Sequence, residues 1–358
     1  MKPFLHYANR AFATTFLLAL VKRLVYGYHV NLFHIFLSVF STKYLIYINY
    51  IGIIKIKQDF FQKGGINVRV VHFTTDNGVS AIKYENAPYI DLTKTFDCGQ
   101  CFRFEPVSVF GNKVEFGGVA FNTYVIFAQN HENEVIVYNA TEHDANTWIT
   151  FLNLDKDYGK INSDILDAVP TEHMQKAVQC GNGIRILSQN LWECLASFII
   201  SQNNNIPRIK KIVDTLCRTY GEEIKFMGNT YYAFPDPDVL IKATDADLAE
   251  KTRMGFRAKY VISAAKWFFT NDQMKLRLST YDDDLEILCK INGVGPKVAS
   301  CVLLFSVGRG EAFPIDVHMK RTLERYFPNG IDLNALGDNA GIAQQYLFYY
   351  EKYIKSLE

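Results

Sequence analysis

The sequence predicts an α+β fold, in which an N-terminal antiparallel sheet is followed by an all-helical domain. Two observations support this prediction. From Ile66 onward, short runs rich in β-branched and aromatic residues are separated by turn signals. From about Glu142 onward, apolar residues recur with the spacing of one helix face. We therefore expect a sheet domain at residues 65–141 and a helical domain at residues 142–358.

Four strands are expected in the sheet domain. Each is bounded by turn residues, such as the Gly111-Asn112 pair that precedes the second strand. The predicted strands are Asn67–Phe73, Lys113–Ala120, Thr123–Ala128 and Glu134–Tyr138.

The composition of the 358-residue chain limits its chemistry. This length allows two or three packed units with a large core. The net charge is only +1, so a contact with nucleic acid must be local rather than the effect of a general basic field. Seven cysteines without a regular framework favour a reducing compartment over a disulfide scaffold. Cys98 and Cys101 have C-x-x-C spacing without a second pair, and we therefore expect no metal, no cluster and no small-molecule cofactor.

Residues 1–64 differ in composition from the rest of the chain. They carry eight lysines and arginines against one acid, Asp59, among many large apolar residues. The uncharged run from Leu24 to Phe40 has about the length of a membrane span, although two histidines and an asparagine weaken that interpretation. A targeting peptide and a start codon assigned too far upstream are the alternatives. We favour the last, and we expect neither membrane attachment nor catalytic residues in this extension, because the motifs below are complete without it.

The stretch from Leu288 to Arg321 carries the most specific pattern. It predicts a helix that ends near Lys290, a hairpin at residues 291–295 and a second helix that begins at Pro296. Proline suits the first helical position because its fixed φ is already helical. Two glycines in the hairpin allow a sharp turn and expose backbone N–H groups. Such a hairpin at a helix N-terminus is a site for a phosphate oxygen.

Lys297 lies in the first turn of the second predicted helix, and Cys301 lies four residues later on the same face. A helix N-terminus and a partly apolar pocket both disfavour an ammonium ion, and a neutral lysine amine is a nucleophile for C1′ of a sugar. Asp316 precedes another helical pattern and offers a carboxylate to this amine. Taken singly, the hairpin is also compatible with an ordinary turn, Lys297 with a solvated lysine and Asp316 with a helix N-cap. Their order in one stretch favours the functional interpretation.

The whole stretch resembles the helix-hairpin-helix and Gly/Pro-Asp signature of the DNA glycosylase superfamily, with Lys297 at the position of the lysine in bifunctional members. Four further segments resemble the 8-oxoguanine DNA glycosylases. They are Cys98–Phe104, Ser201–Arg208, Met254–Tyr260 and Ala340–Phe348. The resemblance covers residues 66–358 and implies an all-helical glycosylase domain with its helix-hairpin-helix at residues 281–308.

The resemblance also implies a role for each matching residue. Lys297 would attack C1′, and Asp316 would stabilise the oxocarbenium-like charge. The damaged base would lie between Cys301 and Phe348, with Gln344 on its Watson–Crick edge and the carbonyl of Gly99 accepting its N7–H. The DNA contacts would come from Asn203, Arg208 and Arg257 on the cytosine left behind, from Phe256 as a wedge, and from Gly293, Val294, Gly295 and His318 on flanking phosphates.

The activity implied is that of a bifunctional DNA glycosylase. It would excise 8-oxoguanine opposite cytosine and nick the strand by Schiff-base β-elimination, acting as a monomer on double-stranded DNA that contains oxidised guanine. Two alternatives stay open, namely a glycosylase for other damaged bases and a non-catalytic helix-hairpin-helix protein that only binds DNA. We expect the protein at the nucleoid in the cytoplasm of a bacterium, or in the nucleus of a eukaryote.

Overall fold

The computed structural model of the chain describes residues 57–63, 66–271, 276 and 279–357. The interpretations of residues 1–56, which form most of the expected extension, lie outside the described residues. Within the described ranges, no helix combines the length and the apolar character needed to cross a bilayer.

An antiparallel sheet occupies the N-terminal part of the described chain. Its strands are β1 Lys57–Lys63, β2 Ile66–Thr74, β3 Ser80–Glu85, β4 Phe104–Pro106, β5 Val114–Ala120, β6 Thr123–Gln129 and β7 Glu134–Tyr138. They form one seven-stranded sheet among the described residues, in the spatial order β1-β2-β3-β7-β6-β5-β4, with every neighbouring pair antiparallel. A separate two-stranded hairpin, β8 Glu223–Phe226 and β9 Asn229–Tyr232, lies within the helical domain.

The four predicted strands are confirmed as β2, β5, β6 and β7, to within one residue at each end. The prediction missed β1, β3 and β4. Strand β1 lies in the stretch assigned to the extension, but Lys57 pairs with His72 of β2, so the sheet begins before the expected boundary at residue 65. Strand β4 has only three residues and ends at Pro106, which has no N–H and therefore suits an edge strand.

The remaining chain is mainly helical, as predicted. A first short helix, α1 Leu92–Asp97, lies within the sheet domain, between β3 and β4. The helical domain contains α2 Ala145–Phe151, α3 Tyr158–Ala168, α4 Glu172–Gly181, α5 Leu191–Ser201, α6 Ile206–Tyr220, α7 Pro237–Ile241, α8 Asp245–Thr252, α9 Ala258–Thr270, α10 Tyr281–Cys289, α11 Pro296–Val302, α12 Val317–Tyr326, α13 Leu333–Leu336 and α14 Ala340–Leu357. A 3₁₀ turn at Gly255–Arg257 precedes α9, and a π-helical turn at Leu303–Val307 continues α11.

Aromatic residues pack the sheet against its neighbours on both faces. On one face, Phe127 of β6 stacks on Phe151 of α2, with ring centroids 5.6 Å apart, and Phe96 of α1 joins the same cluster. On the other face, Tyr231 of the β8–β9 hairpin stacks on Tyr124 of β6 at 3.5 Å. The sheet is therefore a buried layer, and it supports α1 and the loop that follows it.

Arg185 joins the sheet domain to the helical domain and is fully buried. Its guanidinium donates to the carbonyl oxygens of Tyr89 at 2.9 Å and Asn153 at 3.0 Å, and it lies 4.1 Å from the centroid of the Tyr158 ring. A buried charge is tolerated only where such polar partners replace water. The same junction also contacts the loop at residues 98–101, since the side chain of Gln100 donates to the carbonyl of Arg185 at 2.7 Å.

Candidate active site and nucleic-acid interface

The predicted helix-hairpin-helix is present as α10, the hairpin at residues 290–295 and α11. Gly293 has a positive φ of 89°, and the ring of Tyr260 lies where a Cβ atom on residue 293 would be. Both observations require glycine at this position. Gly295 is the N-cap of α11 and faces open space. The hairpin backbone is therefore packed against Tyr260 at Gly293 and is open to the surface at Gly295.

The expected contact between the Val294 N–H and a phosphate differs from what the hairpin shows. The N–H of Val294 donates to the carbonyl of Ile291 at 2.9 Å, so it closes the turn and does not point outward. Gly293 and Gly295 remain the candidates for phosphate contact in the hairpin, together with the first N–H groups of α11.

Lys297 lies half-buried in the first turn of α11, as predicted. Its Nζ is 5.3 Å from the centroid of the Phe198 ring on α5. The thiol of Cys301, four residues later in the same helix, is buried. Burial raises the pKa of Cys301, while the neighbouring Lys297 lowers it and the charge of Asp316 raises it. The structure thus brings the amine, the thiol and the carboxylate into one electrostatic neighbourhood.

Asp316 is the N-cap of α12, which is the structural role considered for it above. Its Oδ1 accepts a hydrogen bond from the N–H of Met319 at 2.7 Å. This bond holds the carboxylate at the start of the helix. The backbone of Asp316 is extended, with φ of −98° and ψ of −177°. Because the cap bond uses one oxygen, it does not conflict with an electrostatic role for the other.

Gly99 and Phe348 lie side by side, although they are far apart in the sequence. Gly99 has a φ of +82°, and a Cβ atom on it would lie 3.7 Å from Cε1 of Phe348 and 3.6 Å from Cδ1 of Ile206. The loop after α1 and the last helix, α14, therefore form one wall, as the resemblance implies for a base pocket.

Gln344 lies one turn before Phe348 on α14 and is 5% exposed. Its Oε1 is buried and has no hydrogen-bond partner among the residues that the structure describes. Buried polar atoms without a partner are rare because each one is costly, and at a functional site they mark a place for a ligand atom. This oxygen is such a candidate.

Phe256 is half-exposed at 52%, in the 3₁₀ turn before α9. Its ring makes an edge contact with Tyr260 at 6.1 Å, and the guanidinium of Arg257 lies 4.5 Å from its centroid. A large apolar side chain held outward on a tight turn has the shape of a wedge.

Arg257 differs from the expectation that it would hold the unpaired cytosine. It is 3% exposed, and its guanidinium donates to the carbonyls of Gln202 at 2.8 Å, Asn203 at 2.8 Å and Met254 at 3.2 Å. Burial, and then the like charge of Arg208, lower the pKa of Arg257. In this structure four of the five N–H donors of Arg257 are used in these bonds, so Arg257 positions the turn that carries Asn203.

Two of the three consecutive asparagines use their side chains in local hydrogen bonds, and the third lies exposed at a left-handed φ. Asn205 caps α6 by accepting the N–H of Arg208 at 3.0 Å, and Asn204 donates to the carbonyl of Ile200 at 3.1 Å. Asn203 is exposed at a left-handed φ of +46°. Asn203 and the exposed Arg208 are thus the candidates for contact with a base, and the exposed His318 lies in the first turn of α12.

Sequence reasoning missed Gln202, which links these elements. Its backbone carbonyl accepts from Arg257, and its Nε2 donates to the carbonyl of Gly293 at 2.9 Å. The asparagine turn, the wedge and the hairpin are therefore connected through one residue. A local pattern carries no signal for this bond, because residues 202 and 293 are far apart in the chain.

The C-x-x-C cysteines are free and buried. Burial raises the pKa of Cys98 to about 12 and also raises that of Cys101. In the described ranges no group of three or more His, Cys, Asp or Glu side chains is arranged to hold a metal ion.

Two family models match adjacent parts of the chain. Residues 82–195 match the 8-oxoguanine DNA glycosylase N-terminal domain, and residues 196–332 match the HhH-GPD superfamily of base excision DNA repair proteins. The boundary between these matches lies within α5 rather than at residue 141, so the first family model includes helices α2 to α4 as well as the sheet.

Known proteins resemble the chain over most of its length. It is 30% identical over 275 residues to the N-glycosylase/DNA lyase of Saccharomyces cerevisiae, which covers 70% of this chain and 72% of the yeast protein. The 8-oxoguanine glycosylase/lyase of Clostridium acetobutylicum, solved without DNA, is 35% identical with a TM-score of 0.69, over 75% of this chain and 96% of that one. The same enzyme bound to double-stranded DNA with cytosine opposite 8-oxoG matches at 32% identity and a TM-score of 0.69, over 85% and 99% of the two chains. This chain is thus a member of the 8-oxoguanine DNA glycosylase/lyase family within the helix-hairpin-helix base excision repair proteins.

Proposed function

We propose that this chain binds duplex DNA, excises 8-oxoguanine opposite cytosine and nicks the strand at the resulting site. The observation that supports this most is the neighbourhood of Lys297, in which a half-buried amine and the carboxylate of Asp316 both act electrostatically on the buried thiol of Cys301. A protein that only binds DNA needs none of these three groups together.

The chemistry begins at the amine. Nζ of Lys297 forms a bond to C1′ as the glycosidic C1′–N9 bond breaks, and the base leaves with the bonding electron pair and takes up a proton. Asp316 stabilises the positive charge that develops on the sugar. The attached amine loses a proton, and the C1′–O4′ bond then breaks as the C1′=N double bond of the Schiff base forms, while O4′ takes up a proton. Removal of a proton from C2′ then expels the 3′ phosphate by β-elimination.

The flipped base is held by groups on three elements. The Oε1 of Gln344 accepts a hydrogen bond from the Watson–Crick edge of the base. The ring of Phe348 covers one face of the base, and the thiol of Cys301 covers the other. The carbonyl of Gly99 accepts the N7–H, which 8-oxoguanine carries and guanine lacks. An acceptor that faces a lone pair in the normal base disfavours that base, which gives the site its selectivity.

The DNA is held around this pocket by a set of surface groups. Phe256 fills the gap left in the duplex, which offsets part of the unstacking cost. Asn203 and Arg208 contact the cytosine left behind, since both are exposed beside the wedge. The amides of Gly293 and Gly295, and His318, contact flanking phosphates, which position the duplex without reading its sequence. We expect the protein to act as a monomer, at the nucleoid or in the nucleus.

An excision assay on a panel of duplexes tests this function. The panel contains 8-oxoguanine opposite cytosine, 8-oxoguanine opposite adenine, undamaged guanine and 3-methyladenine. We expect release of the base and a nick for 8-oxoguanine opposite cytosine above all others. Lys297→Gln is expected to lose both products, whereas Lys290→Gln is the matched control, because Lys290 is exposed at the end of α10 and pairs with Glu286 at 2.8 Å. Preference for 3-methyladenine, or no excision at all, would contradict the proposal.

A further inference from the structure

The loop that carries Gly99 is fastened to α14 by a bond that the proposed chemistry does not use. Nε2 of Gln345 donates to the backbone carbonyl of Cys98 at 2.8 Å, and both residues are buried, at 3% and 1% exposure. Gln345 is the neighbour of Gln344 on α14, and its side chain turns toward the loop instead of the pocket. A second contact lies further along the helix, where Lys352 donates to the backbone carbonyl of Asp97 at 2.9 Å.

The residue after Gly99 is held just as firmly. Gln100 is fully buried, and its Nε2 donates to the carbonyls of Thr95 at 2.9 Å and Arg185 at 2.7 Å. Its Oε1 accepts the N–H of Leu187 at 2.8 Å. Gly99 is therefore a glycine at positive φ between two anchored neighbours, one fixed by Gln345 and the other by its own buried amide.

We propose that Gln345 is a positioning residue for recognition of the damaged base. The hydrogen bond from Gln345 to the Cys98 carbonyl fixes the orientation of the peptide between Cys98 and Gly99. It thereby sets the position of the Gly99 carbonyl relative to Gln344 and Phe348, which lie on α14 together with Gln345. A glycine has no side chain to limit its rotation, so the acceptor keeps its place only if the peptides on both sides are held. Without the Gln345 donor the buried carbonyl of Cys98 has lost its partner, and the peptide rotates to find another. This inference rests on the proposed function.

A comparison of two substrates separates positioning from folding. The first is a duplex with 8-oxoguanine opposite cytosine, and the second carries a preformed abasic site opposite cytosine. Strand cleavage at an abasic site needs Lys297 but has no base to recognise. Gln345→Met keeps the side-chain length but removes the donor. We expect it to lower the single-turnover rate of 8-oxoguanine excision about tenfold or more, because the free energy of one hydrogen bond corresponds to about that factor in rate. Cleavage of the abasic duplex is expected to stay within about twofold of wild type.

Tyr346→Phe is the matched control. It removes one hydrogen bond from the same helix, that of the Tyr346 hydroxyl to Asn162 at 2.9 Å, and leaves the bond from Gln345 to Cys98 in place. We expect it to leave the ratio of the two rates unchanged. Gln345→Leu serves as a second donor-free variant and is expected to match Gln345→Met.

Two results would overturn the inference. One is excision of 8-oxoguanine at the wild-type rate by both Gln345 variants. The other is an equal loss of both activities in both variants, since that is the mark of a residue that only maintains the fold. Failure of the wild-type chain to excise 8-oxoguanine would instead count against the proposed function itself, so the two failures are distinguishable.

Discussion

One charged residue of the proposed site, Asp316, and one beside it, Arg257, have structural roles. Asp316 caps α12 with one carboxylate oxygen, and Arg257 ties the carbonyls of Gln202 and Asn203 to the wedge turn. The sequence predicted that Asp316 would lie near Lys297, because a local motif carries both residues. It did not predict the role of Arg257, because residue type alone does not reveal that this guanidinium is buried with its donors in use.

Asp316→Asn separates capping from charge. Asparagine is as good an N-cap as aspartate, so we expect the stability of the protein to be preserved. Loss of the negative charge is expected to lower the excision rate at least about 100-fold while DNA binding is retained. Single-turnover kinetics and a binding titration measure the two effects. Asp332→Asn, which alters the N-cap of α13, is the control, and wild-type excision by Asp316→Asn would refute the assigned role.

The two arginines near the wedge are expected to respond differently to substitution. Arg257→Met leaves several buried carbonyls without a donor, and we expect it to lower the free energy of unfolding by about 3 kcal/mol. Arg208→Met changes an exposed residue and is expected to alter that free energy by no more than about 0.5 kcal/mol, yet to weaken the preference for cytosine opposite the lesion. Urea unfolding and excision opposite each base test both expectations. Equal stability of the two variants would show that the contacts of Arg257 are not structural.

The elements of the site differ in how far local sequence determines them. The α10–α11 hairpin was predicted correctly, because Gly293, Gly295 and Pro296 are strong local signals for a turn and a helix start. The bonds from Gln202 to the hairpin and from Gln345 to the Gly99 loop were not predicted. Each joins distant parts of the chain, and an amide side chain has no periodic pattern that would reveal its partner.

The wedge turn gives a prediction at this scale. Phe256→Ala removes a half-exposed ring, so we expect little change in stability but a loss of excision of at least about tenfold, because the unstacked step is no longer filled. Phe256→Tyr keeps the ring and is expected to keep most activity. Phe269→Ala, at an exposed phenylalanine near the end of α9, is the control. Equal excision rates for Phe256→Ala and the control would exclude the proposed role of Phe256 as the wedge.

At the scale of the whole molecule, residues that are far apart in the sequence meet in the site. Gly99 belongs to the loop after α1 and Phe348 to α14, so the pocket wall exists only when the sheet domain and the last helix are both in place. The order of sheet and helices was predictable from hydrophobic periodicity. The edge strands β1 and β4 were not, because one lies in an atypical extension and the other is too short to show alternation.

The packing of α4 against α12 and α14 predicts a pH dependence of stability. His173 of α4 stacks on Tyr326 at 3.7 Å and lies 3.3 Å from Glu351, and burial lowers its pKa. The unfolded state then binds the proton more strongly, so stability is lost as pH falls below about 6.5. We expect this loss to be smaller in His173→Phe than in wild type, and unchanged in His143→Asn, an exposed control. Thermal unfolding between pH 7 and pH 5 measures it, and identical profiles for all three proteins would contradict the prediction.

The identity of the nucleophile is the central claim, and borohydride trapping tests it directly. The purified chain is mixed with a duplex that contains 8-oxoguanine opposite cytosine, reduced with borohydride and digested, and the DNA-linked peptide is identified by mass spectrometry. We predict a single covalent adduct on the peptide that contains Lys297, and no adduct for Lys297→Gln. An adduct on another lysine, or equal trapping by Lys297→Gln, would contradict the account.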